Sequence, residues 1–595
     1  MPFWSWGRNN PPATHQTACF HVSLEGASAL KTGHSQLLFF TVLGMKHRYF
    51  SLLACCATLA LPFGARAQKP APLPANAPVQ TARTELPLNE RESEVHVQAL
   101  PADSSVVLLV GREHSLSSRT DFSFQQYGHD LHLRQETLLK VADEFDFVRM
   151  CAEGTTVYAL FASHSTPGRL LVAAYNGPLG QTRSQQFDTK LSREVVELKA
   201  LDGRLFATVL LQDQLHVTAL LLDVATGQMQ YLPSVYENVP TQLTFVADAA
   251  TRRAEYVLSQ TNGRKSRLLL KQLTDKGQLV SSEFVQAESE RSLITAQVTP
   301  PQDTTARLLM GTYSLRDPNY AQGLFATDLS RPAPGVAAGP KAPLRFYDFL
   351  HLKHFFDYLK PSKQARLRQR VARRLARSVA PMRWHYRLLL HELLPQPDGG
   401  YVLVAEVYTP HYRYNNYGTT YGSPFGSYGN QYYSSGYGYG GPNSVYAPGG
   451  YSPYGSNRAF DGYQTTHALV CGFDRKGNLI WDNIFVVENL RRTDLEEAVR
   501  LQPLPDGRLV LAYLDESKLR YKVVNRGESA PNDLHVPIST GTSPADQGLE
   551  RPTDTNQYDL LPWYGGRFLA LGYQHIRVTR GPDREVFFMN TVVFQ

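Results

Sequence analysis

Cysteines, long apolar runs and compact catalytic motifs are all scarce in this sequence of 595 residues. Of the five cysteines, Cys19, Cys55 and Cys56 precede residue 68, so only Cys151 and Cys471 lie in the rest of the chain. No cysteine and histidine spacing typical of a zinc site occurs, and we predict no metal site. Beyond the N-terminal region no run is long and apolar enough to cross a bilayer. The sequence also lacks a nucleophile elbow, a phosphate-binding glycine loop and a dinucleotide fingerprint, and it predicts no cofactor.

The N-terminal region has the pattern of an export signal that begins at Met45. Lys46 and Arg48 form a short positive region, residues 49–61 are mostly apolar, and Ala-Arg-Ala at 65–67 fits a cleavage site before Gln68. We interpret residues 1–44 as an upstream extension from a misassigned start and residues 45–67 as a signal peptide. One alternative is a genuine extension whose apolar run anchors the protein, although the run is short for a span. Another is lipid attachment at Cys55.

Export places the mature chain in a secreted, periplasmic or outer-surface location. That compartment permits a disulfide between Cys151 and Cys471, but a chain of this length can build its core without one, so their pairing stays open. Residues 68–93 begin with a Pro/Ala-rich stretch and predict an extended tether.

From residue 94 to 595 the sequence repeats with a period of roughly 50 residues, in the range where propeller blades are sought. One turn type recurs near Asp103, Gly154, Gly203, Thr251, Asp303, Gly399, Gly507 and Gly566. A second turn type occurs at residues 223–227, 275–277 and 474–477. Two alternating turn types predict four-stranded antiparallel units, and therefore an all-β protein, a β-propeller of seven or eight four-stranded blades. A pair of open β-sandwiches or a β-solenoid is the alternative.

The last repeat unit is long enough for only three strands. We therefore expect a strand from the N-terminal end of the repeats, at residues 94–100, to complete the final blade.

The hairpin at residues 468–486 carries Asp474, Gly477 and Trp481. This spacing resembles the blade turn of quinoprotein-type propeller repeats, and the mature chain resembles secreted propeller-like proteins of the Bacteroidetes type. The resemblance implies the fold and the compartment, and it includes no cofactor-binding residue.

The first of two insertions, residues 345–383, predicts a helical hairpin. Aromatic and aliphatic residues of 345–359 recur at helical spacing, and Pro361 suits the first turn of a second helix. In that helix Leu367, Val371, Leu375 and Val379 form an apolar stripe, opposite a basic face. We select as candidate binding residues Lys363, Arg366, Arg370, Arg373, Arg374 and Arg377.

The charge of the mature chain is concentrated in this insertion. The formal net charge of the whole chain is +7, and removal of residues 1–67, with five basic residues and one acidic residue, leaves +3. Residues 360–387 contain ten Lys or Arg and no acid, so the remainder carries −7. This basic helical arm favours an anionic partner: a lipid head group, lipopolysaccharide, an acidic polysaccharide or an acidic protein. Nucleic acid fits the charge but not the compartment. The alternative is a solvated helix face that caps the propeller rim.

The second insertion, residues 414–457, contains no charged residue and consists largely of Tyr, Gly and Ser. This composition predicts a disordered loop inside one blade. Its tyrosines could stack on sugar rings, or the tract is a tolerated expansion of a loop tip.

No catalytic residue is predicted. His351 and His354 could touch one metal ion, but no carboxylate accompanies them at ligand spacing. Glu406, Asp461 and His467 flank the Tyr/Gly-rich loop and could meet at a rim. The sequence thus favours a binding or scaffolding protein of the cell envelope that acts through the basic arm. The alternatives are a carbohydrate-active or other hydrolytic propeller, which requires a polar central funnel with converging carboxylates, and a purely structural surface protein.

Overall fold

The computed structural model describes residues 77–113, 120–189, 192–211, 216–237, 241–262, 265–287, 289–300, 307–330, 342–377, 382–414, 458–488, 490–532, 534–540, 550–578 and 582–594. All of them belong to one compact unit, Pro72–Gln595. The predictions for residues 1–44 and 45–67, and for the Tyr/Gly-rich loop beyond Tyr414, lie outside the described residues.

The described chain forms eight four-stranded antiparallel blades in a β-propeller ring, which confirms the predicted fold class and the larger of the two blade counts. Blades 1 and 2 contain β2 (Ser93–Leu100), β3 (Ser105–Glu113), β4 (Thr120–Tyr127) and β5 (Leu133–Leu139), then β6 (Phe145–Glu153), β7 (Thr156–Ser163), β8 (Arg169–Asn176) and β9 (Gln181–Asp188). Blades 3 and 4 contain β10 (Ser192–Leu201), β11 (Arg204–Leu211), β12 (Val217–Asp223) and β13 (Gln228–Tyr231), then β14 (Thr241–Asp248), β15 (Arg253–Thr261), β16 (Ser266–Thr274) and β17 (Leu279–Val285).

The second half of the ring carries the insertions. Blade 5 contains β18 (Ser292–Val298), β19 (Leu308–Ser314), β20 (Gly323–Asp328) and β21 (Arg345–Asp348), and the helix α1 (Pro361–Ala376) follows it. Blade 6 contains β22 (Arg387–Leu390), β24 (Tyr401–Tyr414), β25 (Arg458–Phe473) and β26 (Leu479–Val486), with the short strands β23 (Leu394–Pro395) and β27 (Arg491–Arg492) added to it. Blade 7 contains β28 (Arg500–Pro503), β29 (Leu509–Asp515), β30 (Lys518–Val524) and β31 (Leu534–Pro537). Blade 8 contains β32 (Glu550–Pro562), β33 (Arg567–Val578), β34 (Arg584–Val593) and, from the N-terminal side, β1 (Val79–Leu86).

Within each blade the first strand lies nearest the axis and the fourth lies at the rim. First strands of neighbouring blades contact each other, as β6 does with β10 and β14 with β18. Second strands such as β29 are buried at almost every residue, because neighbouring blades cover both of their faces. Fourth strands such as β17 are largely exposed.

Eight apolar clusters, each shared by two neighbouring blades, hold the ring together. The cluster between blades 8 and 1 joins Trp563 and Leu569 to Val106 and Leu108. The Trp563 indole also donates a hydrogen bond across this boundary to the Ser105 carbonyl oxygen, at 3.1 Å. The first and last blades are therefore joined by apolar packing and by a hydrogen bond.

The strand that closes the ring is not the predicted one. β1 pairs with β34 as the fourth strand of blade 8, whereas residues 94–100 belong to β2 and pair with β3 in blade 1. β1 lies inside residues 68–93, which the sequence predicted as a tether. Its alternation of polar and small residues gives only a weak strand signal, and its partner lies at the other end of the chain, so the pairing is invisible to a local pattern.

The predicted helical hairpin is half correct. Residues 361–376 form α1 and begin at Pro361 as expected, but residues 345–348 form the outer strand of blade 5, and turns follow to residue 359. Phe349, Phe355 and Phe356 are buried there in the cluster between blades 5 and 6. Their helix-like spacing therefore reflects burial of a compact run of turns rather than a helix face.

Candidate functional sites

α1 starts from a segment that is fixed to blade 6. The Asp482 carboxylate accepts hydrogen bonds from the backbone N–H groups of Lys353, at 3.0 Å, and His354, at 2.7 Å. His354 Nδ1 lies 2.7 Å from Asp357 Oδ2, and its Nε2 lies 3.1 Å from the Gly527 carbonyl oxygen. Both ring nitrogens of His354 are thus engaged with oxygen atoms, which leaves neither for a metal ion.

The helix itself packs through one edge and presents a basic surface. Leu367 packs against the cluster between blades 5 and 6, and Val371 is half-buried. The predicted binding residues lie on the outer side: Lys363, Arg366, Arg370, Arg373 and Arg377 are exposed and Arg374 is half-buried. A shallow concave surface is lined by Arg366, Gln369, Arg370, Arg373, Arg374 and Arg377.

Arg366, Arg370 and Arg373 are neighbours on the surface of α1, and Arg377 follows directly after the last residue of the helix and continues their row. Within the part of the chain that the structure describes, none of these four arginines pairs with a carboxylate. Among the described residues, no acidic side chain offsets their charge.

The strand connections place α1 and the end of the long β24–β25 hairpin on the same face of the propeller, here called the upper face. In a blade of alternating strands, the connection from the second to the third strand and the connection to the next blade leave from one face, and the two tight turns lie on the other. α1 belongs to the connection from blade 5 to blade 6, and residues 415–457 connect the second and third strands of blade 6. Both insertions thus depart from neighbouring positions.

A second group of charged side chains lies at the centre of the ring. It contains members from blades 2, 3, 6, 7 and 8, most of them on or beside first strands. We call this group the axial cluster: Arg149, Glu197, Lys199, His391, Glu392, Glu406, Glu497, Arg500 and Asp559.

Lys199 connects opposite parts of the ring. Its Nζ atom pairs with Glu392, lies 3.7 Å from Glu197 Oε1 and donates a hydrogen bond to the Phe245 carbonyl oxygen at 3.0 Å. Lys199 belongs to blade 3 and Glu392 to blade 6, which are not neighbours. Their ion pair therefore crosses the axis and forms a polar floor inside the ring.

His391 lies between two carboxylates. Its Nε2 is 2.9 Å from Glu406 Oε1, and its Nδ1 is 3.8 Å from Glu497 Oε2. Glu406 is almost completely buried, and its Oε1 also accepts hydrogen bonds from the backbone N–H groups of Ala498 and Val499, each at 2.8 Å. The Glu406 side chain of blade 6 thereby holds the connection that leads into blade 7.

Arg500 extends the network to blade 8. It lies 3.3 Å from Glu497 Oε2 and 3.3 Å from Asp559 Oδ2, and Arg492 Nη2 reaches the other oxygen of Asp559 at 3.2 Å. Carboxylates and cations thus alternate around the axis.

The surroundings shift the pKa values of the cluster in different directions. Burial raises the pKa of Glu197, and the nearby Lys199 ammonium only partly opposes it. Burial would lower the pKa of Lys199 and of His391, but adjacent carboxylates outweigh it, so both pKa values are raised. Burial would raise the pKa of Asp559, but the charges of Arg500 and Arg492 outweigh burial and lower it. Such a concentration of shifted groups is typical of functional sites and also occurs in structural ion-pair networks.

The three acids and histidines selected beside the Tyr/Gly-rich loop do not come together. Glu406 belongs to the axial cluster, whereas Asp461 lies 3.3 Å from His411. His467 is completely buried, stacks on Tyr358 with ring centroids 4.3 Å apart, and burial lowers its pKa to about 3. The remaining members of the axial cluster had no local signal in the sequence, since they are single charged residues or close pairs spread over five blades.

The described residues contain no group of three or more His, Cys, Asp or Glu side chains arranged to hold a metal ion. A search of the same residues for a helix long and apolar enough to cross a membrane finds none.

Comparison with known proteins finds only weak structural similarities. No protein-family model and no curated protein matches the sequence. Among solved structures, the polysaccharide lyase Uly1 is 8% identical with a TM-score of 0.36, covering 75% of this chain and 89% of that one. A prolyl endopeptidase is 9% identical with a TM-score of 0.34, covering 82% of this chain and 54% of that one. The β-propeller domain of the Trilobed protease from Pyrococcus furiosus is 7% identical with a TM-score of 0.30, covering 75% and 96%.

This chain thus spans about half the length of the prolyl endopeptidase and most of the other two structures. Similarities this weak carry no argument about what the protein binds or does.

Proposed function

We propose that the protein is a secreted binding module of the cell envelope that holds an acidic polymer along α1. The observation that carries this proposal is the row formed by Arg366, Arg370, Arg373 and Arg377, whose charges have no carboxylate partner in the described chain. A guanidinium group offers several donors in a fixed plane and suits carboxylate, sulfate and phosphate groups. Four of them side by side raise the local concentration of an anionic ligand.

The shape of the row favours a linear acidic polysaccharide over a lipid surface. Residues 366 to 377 rise about 16 Å along the helix axis, a length that presents charges to several successive units of an extended chain. Leu367 packs against the propeller, and Val371 is half-buried. Insertion into a bilayer requires an exposed apolar face, which argues against a lipid surface as the partner. The experiment must still distinguish an acidic polysaccharide from lipid head groups, lipopolysaccharide and acidic proteins.

The test replaces Arg366, Arg370, Arg373 and Arg377 together by Gln and measures binding of the mature chain to polygalacturonate, a linear polycarboxylate, by calorimetry at two salt concentrations. We expect the dissociation constant to rise roughly tenfold or more and the salt dependence to weaken, because each exposed ion pair contributes up to about 1 kcal/mol. The matched control changes Arg91, Arg112, Arg134 and Arg316 to Gln, which removes the same charge from exposed positions elsewhere.

Equal binding by the arm variant and the unmodified protein would remove α1 from the function. Binding to vesicles that contain phosphatidylglycerol, without binding to polygalacturonate, would instead assign the arm to a membrane surface.

A carbohydrate-active or other hydrolytic function is the second candidate, and the axial cluster is the observation that favours it. Glu197, whose pKa burial raises, lies next to the ionised network around Lys199. A carboxyl group with a raised pKa near other carboxylates is an arrangement that general acid–base hydrolysis uses. A purely structural surface role is what remains if neither α1 nor the axial cluster binds a ligand. The quinoprotein-type repeat stays a proposal that rests on the turn with Asp474, Gly477 and Trp481. The relationship to secreted proteins of the Bacteroidetes type stays a proposal that rests on the chain as a whole.

A further inference from the structure

We infer that the axial cluster, together with aromatic side chains of the neighbouring β24–β25 hairpin, is a binding site for a neutral sugar chain. Its location is that of the second candidate function, but binding requires no turnover, and it is independent of α1.

The first support is the balance of charge at the centre. Lys199, His391 and Arg500 alternate with Glu392 and Glu497, so a strongly charged ligand of either sign would meet repulsion from half of the groups. A sugar hydroxyl can donate to a carboxylate and accept from an ammonium or guanidinium group at the same time. A ligand with many hydroxyls and no net charge therefore fits this field best.

The second support is that the cluster is fixed but still accessible. The Glu392 side chain is 63% exposed and that of Glu497 is 37% exposed, while Lys199 and Arg500 hold their inner oxygen atoms. Fixed polar groups with free hydrogen-bonding capacity lose little conformational entropy when a ligand binds. In addition, the almost completely buried Gln297 donates from its Nε2 to the Leu390 carbonyl oxygen, beside His391, and its Oε1 has no partner among the described residues.

The third support is an aromatic surface on the part of the β24–β25 hairpin that extends past β22 and β26. Phe460 is 45% exposed, and its ring centroid lies 5.9 Å from that of Tyr412 and 5.1 Å from that of Tyr463. An exposed aromatic ring with a charged neighbourhood suits the C–H face of a sugar, because it offers apolar area while hydroxyls reach the charged groups.

A short chain of contacts joins the aromatic surface to the axial cluster. Tyr463 of β25 is opposite Arg492 of β27 in the strand register, and Arg492 lies 3.2 Å from Asp559 of the cluster. Asp494, two residues further, raises the pKa of Tyr463 through its charge, after the larger effect of burial. The aromatic surface is thus connected to the axial cluster through Arg492 and Asp559.

The experiment measures binding of cellohexaose, maltohexaose and laminarihexaose to the full mature chain by isothermal titration calorimetry. We expect at least one of these neutral hexasaccharides to bind. The variants Glu392→Gln and Phe460→Ala should each raise its dissociation constant about tenfold, since one removes a polar partner and the other the apolar surface. Glu585→Gln changes an exposed glutamate on β34, the third strand of blade 8, and should leave the constant unchanged. Circular dichroism and the thermal midpoint establish that each variant is folded.

Two results would overturn the inference: no heat from any of the three sugars at millimolar concentration, or unchanged binding in both variants. Tight binding of citrate or spermidine in place of the sugars would also refute a neutral ligand. The variant with four glutamines in α1 should keep its sugar affinity, so this inference and the proposed function fail separately. Sugar binding without release of shorter products would support the inference while contradicting a hydrolytic role on these substrates.

Discussion

His391 is the residue through which pH acts on the axial cluster. Burial would favour its neutral form, but Glu497 and Glu406 stabilise the imidazolium and raise its pKa above the usual value of 6.5. A group whose pKa is higher in the folded than in the unfolded state stabilises the fold when it is protonated. Its contribution is complete below the unfolded pKa and disappears as pH rises through the folded pKa.

We therefore predict that His391→Gln destabilises the protein more at pH 6 than at pH 9. Urea unfolding of the variant and the unmodified protein at both pH values measures the difference in free energy of unfolding. His351→Gln, at an exposed histidine outside the cluster, is the control and should change the free energy of unfolding only slightly. If His391→Gln lowered the free energy of unfolding by the same amount at both pH values, the raised pKa of His391 would be contradicted.

The conformation of other residues could be predicted from the sequence, because the residues they contact are close to them in the chain. In the hairpin of blade 6, Asp474 accepts hydrogen bonds from the N–H groups of Lys476 and Asn478, at 2.9 and 2.8 Å, and Gly477 adopts a φ of 75°. Trp481 lies opposite Gly472, where any Cβ atom would overlap the indole ring. The turn and the packing tryptophan were predicted correctly, since local geometry decides both.

At the scale of elements, β1 shows how a short segment with a weak pattern gains its structure from a distant partner. Leu86 is buried in the cluster between blades 8 and 1, and the Arg83 guanidinium lies over the Phe588 ring at 4.9 Å. Arg83 also donates to Asn590 Oδ1 and Gln574 Oε1, each at 2.9 Å. None of these partners is near β1 in the sequence.

We predict that a chain beginning at residue 87 is less stable than one beginning at residue 77 by about 3 kcal/mol or more. The estimate combines the burial of Leu86 with the hydrogen bonds of Arg83 and of the β1–β34 ladder. Denaturant unfolding of the two truncated chains measures it, and the chain beginning at residue 77 is the control because it keeps all of β1. Equal stability would show that β1 is dispensable for ring closure.

The two halves of the basic insertion illustrate the same distinction. α1 was predicted because its arginines, leucines and initial proline agree with a helix over its whole length. Residues 345–359 also showed helical spacing, but pairing of β21 with β20 and burial of the aromatic rings under turns overrode it. Periodicity alone cannot separate these outcomes in so short an apolar segment.

At the scale of the whole molecule, the ring separates Cys151 from Cys471. Cys151 lies on β6 in blade 2 and Cys471 on β25 in blade 6, and both are free. Burial raises the pKa of the Cys151 thiol to about 12, and it also raises the pKa of Cys471. Thiols in that state are poor nucleophiles.

For the chain that begins at Gln68 we predict two thiols that react slowly with Ellman's reagent at pH 8 in the native protein and rapidly in urea. Treatment with diamide under native conditions should form no disulfide within the chain. The prediction would be wrong if, after diamide treatment, the thiols no longer reacted with Ellman's reagent in urea and the chain had the mass of a monomer with one internal disulfide.

The sequence by itself determined the repeat, the four-stranded unit, the turns and the basic helix, because each depends on residues within one hairpin or one helix. Only the tertiary structure decided that there are eight blades, that β1 closes the ring, and that Lys199 meets Glu392 across the axis. The members of the axial cluster are separated by up to several blades and carry no common motif. Closing the ring is what brings them together, since a propeller places its first strands around one axis whatever their distance along the chain.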